Sequence, residues 1–325
     1  MQPNIFNYAT SELSQDAIIC YILEWANKEY KNTDKDLYTL GITLVKSFLK
    51  NIKEEVKIEK IEIRKQYKHI DILCIVNNKY AIIIEDKVNT SNHSNQLQRY
   101  LDDIKKEFSE DKIVAIYYKI YDQSNYYDIK KNKYIPFLRK DILNILESYN
   151  GNNNIIQNYK SYIINIENNV QSYKKLDLQN WNNNSWIGFF KEIKLKLNEG
   201  DWGYVNTRSG GFMGFWFNGD SIKKDNRFYI YLQIEKQDLV IKLATQKEVS
   251  NEDRKTIRNY CRNAFFKDNN KNIKFKKYGK VGRFMSIAKL DTPYIAIKNN
   301  KLDIFETITN LENIRNLFYE TVKEL

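Results

Sequence analysis

The stretch that most constrains this chain is residues 80–84 (YAIII). Five consecutive apolar residues, three of them β-branched, leave no polar face in any regular conformation. Such a run suits a central strand covered on both faces. Its surroundings agree. Residues 69–76 (HIDILCIV) read as a second strand, joined to the first through a tight turn at Asn77, Asn78 and Lys79. Residues 56–64 (VKIEKIEIR) alternate apolar and polar, as a half-buried strand does.

A sheet covered on both faces needs helices. Thr10 or Ser11 can cap one that runs to about Glu29, and Leu13, Ala17, Tyr21 and Trp25 recur every fourth residue as its expected packed face. A second helix is expected over 35–52, with Leu40, Leu44, Phe48 and Ile52 in register. A third, over 95–108, carries Leu97, Leu101, Ile104 and Phe108 and leads into a strand at 112–118 (KIVAIYY), followed by a helix over 140–149. A helical crossover returns its strand parallel to a neighbour. The expectation is a mixed central sheet flanked by helices, of the α/β (α+β) class.

Beyond a helical stretch at 155–173, the polar segment 180–185 (NWNNNS) reads as a domain boundary, giving a first domain of 1–180 and a second, α+β domain of 186–325. The second is expected to hold a helix at 186–197, strands at 204–207, 212–217, 228–234 and 239–245, a helix at 251–266, two more strands and a last helix at 310–323. Trp202, Tyr204, Phe212, Phe215, Trp216 and Phe217 form an aromatic-dense set with Arg208, Lys223, Lys224 and Arg227 close by. A basic cluster follows at Lys271, Lys274, Lys276, Lys277, Lys280 and Arg283. Aromatic and basic side chains together can grip DNA or a partner, although a sheet core with a solvated rim has the same composition.

Composition narrows the function classes. The net charge of +11 favours polyanionic partners, nucleic acid foremost. Cys20, Cys74 and Cys261 are far apart and fit a reducing compartment, and the two His, at 69 and 93, argue against a zinc site. The N-terminus has no basic start followed by an apolar run, and no stretch approaches a membrane span, so a cytoplasmic chain is expected.

Asp71 lies inside the apolar strand 69–76, and Glu85 closes the most apolar strand of the chain. A bound divalent cation is one reason to place carboxylates there, since an unpaired buried charge is costly. Lys87 follows Glu85 by two residues and, on an extended backbone, points to the same side while Asp86 points away. Two carboxylates, a cation and a lysine suit phosphodiester hydrolysis: the metal polarises the phosphate and the lysine offsets charge in the transition state. The tripeptide Glu-x-Lys alone means little, since it recurs at 29–31, 55–57 and 192–194. Gln96 and Tyr100, four apart on one helix face, can hydrogen-bond a phosphate, a base or an attacking water. Glu12 either joins the metal shell or simply favours the first turn of its helix. His69, two residues before Asp71, is expected on the same face, in contact with phosphate or in a structural role.

The order Asp71, then Glu85-Asp86-Lys87, then Gln96 and Tyr100 resembles the PD-(D/E)XK nuclease superfamily. Glu12 resembles the acidic residue on the first helix in many of its branches. The Gln-x-x-x-Tyr element is similar to that of its RecB-type exonuclease branch, and residues 4–16 (NIFNYATSELSQD) resemble the opening of a bacterial branch of the superfamily. The resemblance covers about residues 4–120. It implies a restriction-endonuclease-like sheet, Asp71 and Glu85 as ligands of Mg²⁺ (Mn²⁺ as the alternative), Glu12 as an accessory acid, Lys87 as the catalytic lysine, and Gln96 and Tyr100 supporting the site or touching DNA. The aspartate follows Ile70 rather than Pro, and Glu12 stands where the RecB-type branch has His, which puts the exonuclease mode in doubt.

Three functions therefore compete: a metal-dependent DNA endonuclease in restriction or phage defence, with RNA as the alternative substrate; an inactive nucleic-acid-binding module of the same fold; and a structural or regulatory protein whose acids are solvated. The joint presence of Asp71, Glu85 and Lys87 favours the first over the second. Double-strand cutting often needs two active sites, which a homodimer would supply.

Overall fold

The computed structural model describes residues 3–87, 96–207, 210–267 and 273–325; His93, Asn95, Arg208 and Lys271 lie outside the described residues. The chain divides into two compact units, Met1–Asn168 and Asn169–Leu325, a division earlier than the 180–185 break in composition.

The first unit runs α1 (Glu12–Glu24), α2 (Lys35–Leu49), β1 (Ile61–Tyr67), β2 (Ile70–Val76), β3 (Tyr80–Asp86), α3 (Gln96–Ile104), β4 (Ile113–Lys119), α4 (Tyr127–Lys131), β5 (Ile135–Leu138), α5 (Arg139–Glu147) and α6 (Asn154–Val170), the last crossing the division. The strands form one sheet in the order β1-β2-β3-β4-β5. β1, β2 and β3 are antiparallel, whereas β4 is parallel to both β3 and β5. The mixed sheet expected from the sequence is present, and every residue of its central strand β3 is buried.

Strand alternation sends side chains to two separate cores. Ile72, Cys74, Ile82 and Ile84 meet α1 and α2, while Leu73, Ile75, Ala81 and Ile83 meet Leu97, Tyr100, Leu101 and Ile104 of α3. Helices thus cover both faces, the layered arrangement that such a strand demands.

The buried face of α1 differs from the expected one. Leu13 is 62% exposed and Ala17 is also exposed, whereas Ile18, Ile19, Ile22 and Leu23 are buried. A strict four-residue step drifts around a 3.6-residue helix, and the denser apolar set at 18, 19, 22 and 23 wins the core. Tyr21 and Trp25 pack at its edge. Cys20 is half-buried rather than enclosed. The end of α1 crosses α2 at Gly41, where a Cβ would lie 2.6 Å from Ala26 N and 2.7 Å from Ile22 O.

β1 begins later than residue 56. The spacing of three between Ile58 and Ile61 breaks the alternation, and the backbone before Ile61 is instead held by Asn77, whose side-chain oxygen accepts from Glu59 N at 2.9 Å and Lys60 N at 3.0 Å. β5, which carries Pro136, was not legible as a strand; its edge position tolerates the missing N–H.

The second unit contains α7 (Asn183–Leu197), β6 (Asp201–Thr207), β7 (Gly210–Ser221), β8 (Phe228–Glu235), β9 (Asp238–Thr245), α8 (Asn251–Lys267), β10 (Phe275–Lys277), β11 (Phe284–Leu290), the short pair β12 (Ala296–Lys298) and β13 (Lys301–Asp303), and α9 (Ile304–Lys323). An antiparallel sheet of order β10-β11-β9-β8-β7-β6 packs one face against α7, α8 and α9. The aromatic-dense set is split by this sheet. Trp202, Phe215 and Phe217 belong to the core, whereas Tyr204, Phe212 and Trp216 line a groove.

Candidate active site

Asp71 is the second residue of β2 and Glu85 the last but one of β3. Their register, with Ile72 opposite Ile84, sets the two carboxylates side by side at one end of the hairpin. Asp71 Oδ2 accepts a hydrogen bond from the backbone N–H of Asp86 at 3.0 Å. Lys87 continues the line of β3, its N–H donating to Tyr118 O at 3.1 Å. Lys87 Nζ then lies 2.7 Å from Glu85 Oε1 and 3.9 Å from Asp71 Oδ2. The three residues singled out in the sequence therefore meet. Glu85 is fully buried and Lys87 only 9% exposed.

The first turn of α3 completes this side. Gln96 Nε2 donates to Glu85 Oε1 at 3.1 Å and to Tyr100 Oη at 2.7 Å. Tyr134 Oη donates to Leu97 O at 3.2 Å, tying the helix to the sheet below it. Gln96 and Tyr100 thus act as one unit holding the buried glutamate.

Asp86 does point away from Glu85, as strand alternation requires, but it enters the opposite core rather than solvent. It is fully buried, and its Oδ1 accepts from Gln15 Nε2 of α1. Glu12, Gln15 and Asp16 lie three and four residues apart, so one helix face brings them together. Glu12 is half-buried, and its charge acts on Asp16, Asp86 and Lys87. Gln15, Asp16 and Asp86 were not singled out in the sequence; the i, i+3, i+4 spacing from Glu12 was the available signal. Gln66, whose Nε2 donates to Asp71 Oδ1 at 3.4 Å, had no such signal.

His69 does not join Asp71. It sits in the turn between β1 and β2, where Lys68 and His69 both have left-handed backbone, with φ of 52° and 67°. Two positive-φ residues make the tight hairpin turn that matches strand twist. Alternation does not extend through that turn, and the imidazole is exposed.

The electrostatics are those of crowded acids. Burial, with the Asp71 carboxylate beside it, pushes the Glu85 carboxyl up to about 7 against the pull of Lys87. Burial, reinforced by Asp71 and Glu12, raises Asp16 to about 6, with Lys65 and Lys87 opposing. Asp86 is held well above the usual carboxylate range by burial, against the Gln15 hydrogen bond and with Asp16, Asp71 and Glu12 adding to it. Burial works against the charge of Lys87, but its hydrogen bond to Glu85 and the surrounding carboxylates outweigh this and raise its pKa. Lys119, buried on β4, is lowered by burial, with Lys87 adding to it against Asp86, Glu12 and Asp122.

The donors at this end of the sheet fit a hard divalent cation. Glu85 Oε2 is buried without a hydrogen-bond partner among the described residues and lies beside the Asp71 carboxylate, so the acceptors there are oxygens; Asp16 Oδ1 and Asp86 Oδ2 are likewise without a partner, but in the core beneath α1. Asp71 and Glu85 are the pair that could hold the cation; among the described residues no group of three acidic, His or Cys side chains is gathered for a metal.

A family model described as the PD-(D/E)XK nuclease superfamily matches residues 3–187. No curated protein and no solved structure matches the chain. No helix among the described residues is long and apolar enough to cross a membrane. With the family match spanning more than half of the sequence, and with a mixed sheet carrying Asp71, Glu85 and Lys87 at one end, the chain belongs to the PD-(D/E)XK nuclease superfamily.

Proposed function

We propose that this chain is a metal-dependent phosphodiesterase that hydrolyses DNA at the end of β2 and β3. The observation that carries the reading is the placement of Lys87 Nζ between Glu85 and Asp71, with the second oxygen of Glu85 buried and without a partner among the described residues. A divalent cation held by Asp71 and Glu85, Mg²⁺ or Mn²⁺, supplies the Lewis acid for a phosphodiester and lowers the pKa of water. The protein's own groups do the rest. Lys87, kept charged by its carboxylate neighbours, offsets negative charge that grows on the phosphoryl oxygens. Gln96 fixes the Glu85 carboxylate by bonding one of its oxygens, and Tyr100 fixes Gln96. Glu12 is the accessory acid, contributing field from the start of α1.

Cutting within the strand and a role in restriction or phage defence are finer expectations that rest on the family relation; action as a homodimer rests on the two active sites that double-strand cutting often needs, and a cytoplasmic location on the scattered cysteines. The test is incubation with circular and linear DNA under Mg²⁺ and then EDTA, beside Lys87→Ala. Metal-dependent nicking of circles, lost in the variant, is the expected result. Binding of DNA without cutting in either protein would favour an inactive binding module of the same fold.

A further inference from the structure

The second unit carries a feature that hydrolysis does not explain. It contains 28 Lys and Arg against 18 Asp and Glu, a net charge of +10 out of the chain's +11. The first unit, with the candidate active site, is nearly neutral. A polyanion is therefore drawn to the unit that holds no such site.

The sheet of this unit has one face turned away from its helices. Phe228, Ile230, Leu232 and Ile234 of β8 enter the core, so Tyr229, Tyr231, Gln233 and Glu235 emerge on the other side. Trp216 of β7 and Phe284 of β11 line the same groove, which also reaches Phe318 and Val322 of α9 and has a total volume of about 1760 Å³. Tyr229 is 46% exposed and Phe284 62% exposed, with the Tyr229 and Tyr231 rings 6.0 Å apart. Leaving this much aromatic surface in water is unfavourable unless something covers it. Between the rings lies a polar floor. Gln233 Nε2 donates to Glu235 Oε1 at 2.9 Å, and Lys242 Nζ approaches Glu235 Oε1 at 3.4 Å and Ser286 Oγ at 3.2 Å. The floor is charge-balanced. Around the groove Lys223, Lys280 and Lys323 are matched by Glu199, Asp201 and Asp220; at its β11 end the exposed Lys280 and, beside it, Arg283 stand on the loop leading into β11, the Arg283 guanidinium 5.2 Å from the Phe284 ring.

Flat rings within the groove and the two cations at its β11 end match one occupant: a nucleic-acid strand whose bases are unpaired. Bases stack on aromatic faces, phosphates meet Lys280 and Arg283, and a polar floor can meet base edges. A duplex keeps its bases stacked inside and offers these rings nothing. We infer that the open sheet face of the second unit binds single-stranded nucleic acid by base stacking. This deepens the nucleic-acid half of the proposed function and does not depend on catalysis.

The test is fluorescence anisotropy of the full chain in EDTA, with a DNA strand of about 16 nucleotides, the upper end of the site sizes such stacking grooves cover, its blunt duplex and an abasic strand of equal length. An RNA strand of the same sequence tells which backbone is preferred. The natural single strand should bind tightest. Phe284→Ala and Tyr229→Ala, both at exposed positions, should each weaken it by about fivefold or more and leave the abasic strand unchanged. Lys280→Gln should weaken all the ligands and reduce the single-strand salt slope by about 0.7. Equal binding of natural and abasic strands, indifference to both aromatic substitutions, tighter binding of the duplex, or no binding at all would overturn the inference. Wild-type protein that binds the strand through Phe284 but cuts nothing under Mg²⁺ would sink the nuclease reading alone.

Discussion

Glu85→Gln separates a catalytic carboxylate from a structural ion pair, because the two readings give opposite signs. If Glu85 exists to pair with Lys87, neutralising it breaks a buried salt bridge and costs roughly 3–5 kcal/mol. The site geometry points the other way. The Glu85 carboxyl is pushed from its ordinary 4.5 up to about 7, burial outweighing Lys87. A raised folded-state value means that its contribution to stability is fully present below pH 4.5 and is lost as pH rises through 7. At pH 8.5 the ionised group therefore costs the metal-free fold roughly 3 kcal/mol, falling to about 1 kcal/mol at pH 5.5. Glutamine keeps the shape of the neutral acid. In EDTA at pH 8.5, Glu85→Gln should stabilise the protein by up to that amount, raising the unfolding midpoint of the first unit by about 6–12 °C. The gain should shrink at pH 5.5, and cleavage under Mg²⁺ should vanish. Thermal and urea melts at the two pH values, with and without metal, measure it. A variant less stable than the parent in EDTA at pH 8.5 would refute the reasoning and return Glu85 to a structural role.

Substitutions at three further positions test the rest of the reading. Gly41→Ala gains about 1 kcal/mol of helix propensity, but its Cβ would meet the backbone of Ala26 at 2.6 Å and of Ile22 at 2.7 Å; the net should be a loss of roughly 1–2 kcal/mol, and a stabilised variant in urea melts would contradict the packing described. Gln96→Ala frees Glu85 Oε1 from its amide and should raise the metal concentration for half-maximal cleavage by roughly tenfold, an effect absent if Gln96 touches only substrate. Asp86→Asn should be nearly neutral for stability in EDTA, since burial holds that carboxyl well above its usual range, whereas Asp86→Ala leaves buried Gln15 without its acceptor and should cost about 1–3 kcal/mol; equal losses in urea melts would mean that Asp86 is ionised.

The sheet was legible because a strand buried on both faces leaves an unbroken apolar run, and 80–84 is one. Asp71, Glu85 and Lys87 were legible because charge inside such a run demands a partner. The α1 face was not: Leu13, Ala17, Tyr21 and Trp25 satisfy a simple periodicity, and only tertiary packing selects Ile18, Ile19, Ile22 and Leu23 over them. That error hid Gln15 and Asp16, which ride on the same face. His69 was misplaced because alternation was carried through a turn whose two left-handed residues, Lys68 and His69, are not glycine or asparagine and gave no warning. The aromatic set of the second unit had the right residues on both faces of one sheet, and composition has no means of telling Trp216 from Phe215.

Asp86 occupies the position that a Glu-x-Lys tripeptide leaves open, yet it is gripped twice. Its side chain is held by Gln15 in the core beneath α1, and its N–H holds Asp71 on the side of Glu85 and Lys87. A spacer would drift freely among descendants of one ancestor. Here a change at 86 that removes the acceptor of Gln15 shifts the carboxylate one peptide away, so it should be tolerated only alongside a matching change at 15. Positions 15 and 86 are thus expected to covary, and the middle letter of the motif carries as much history as its two ends.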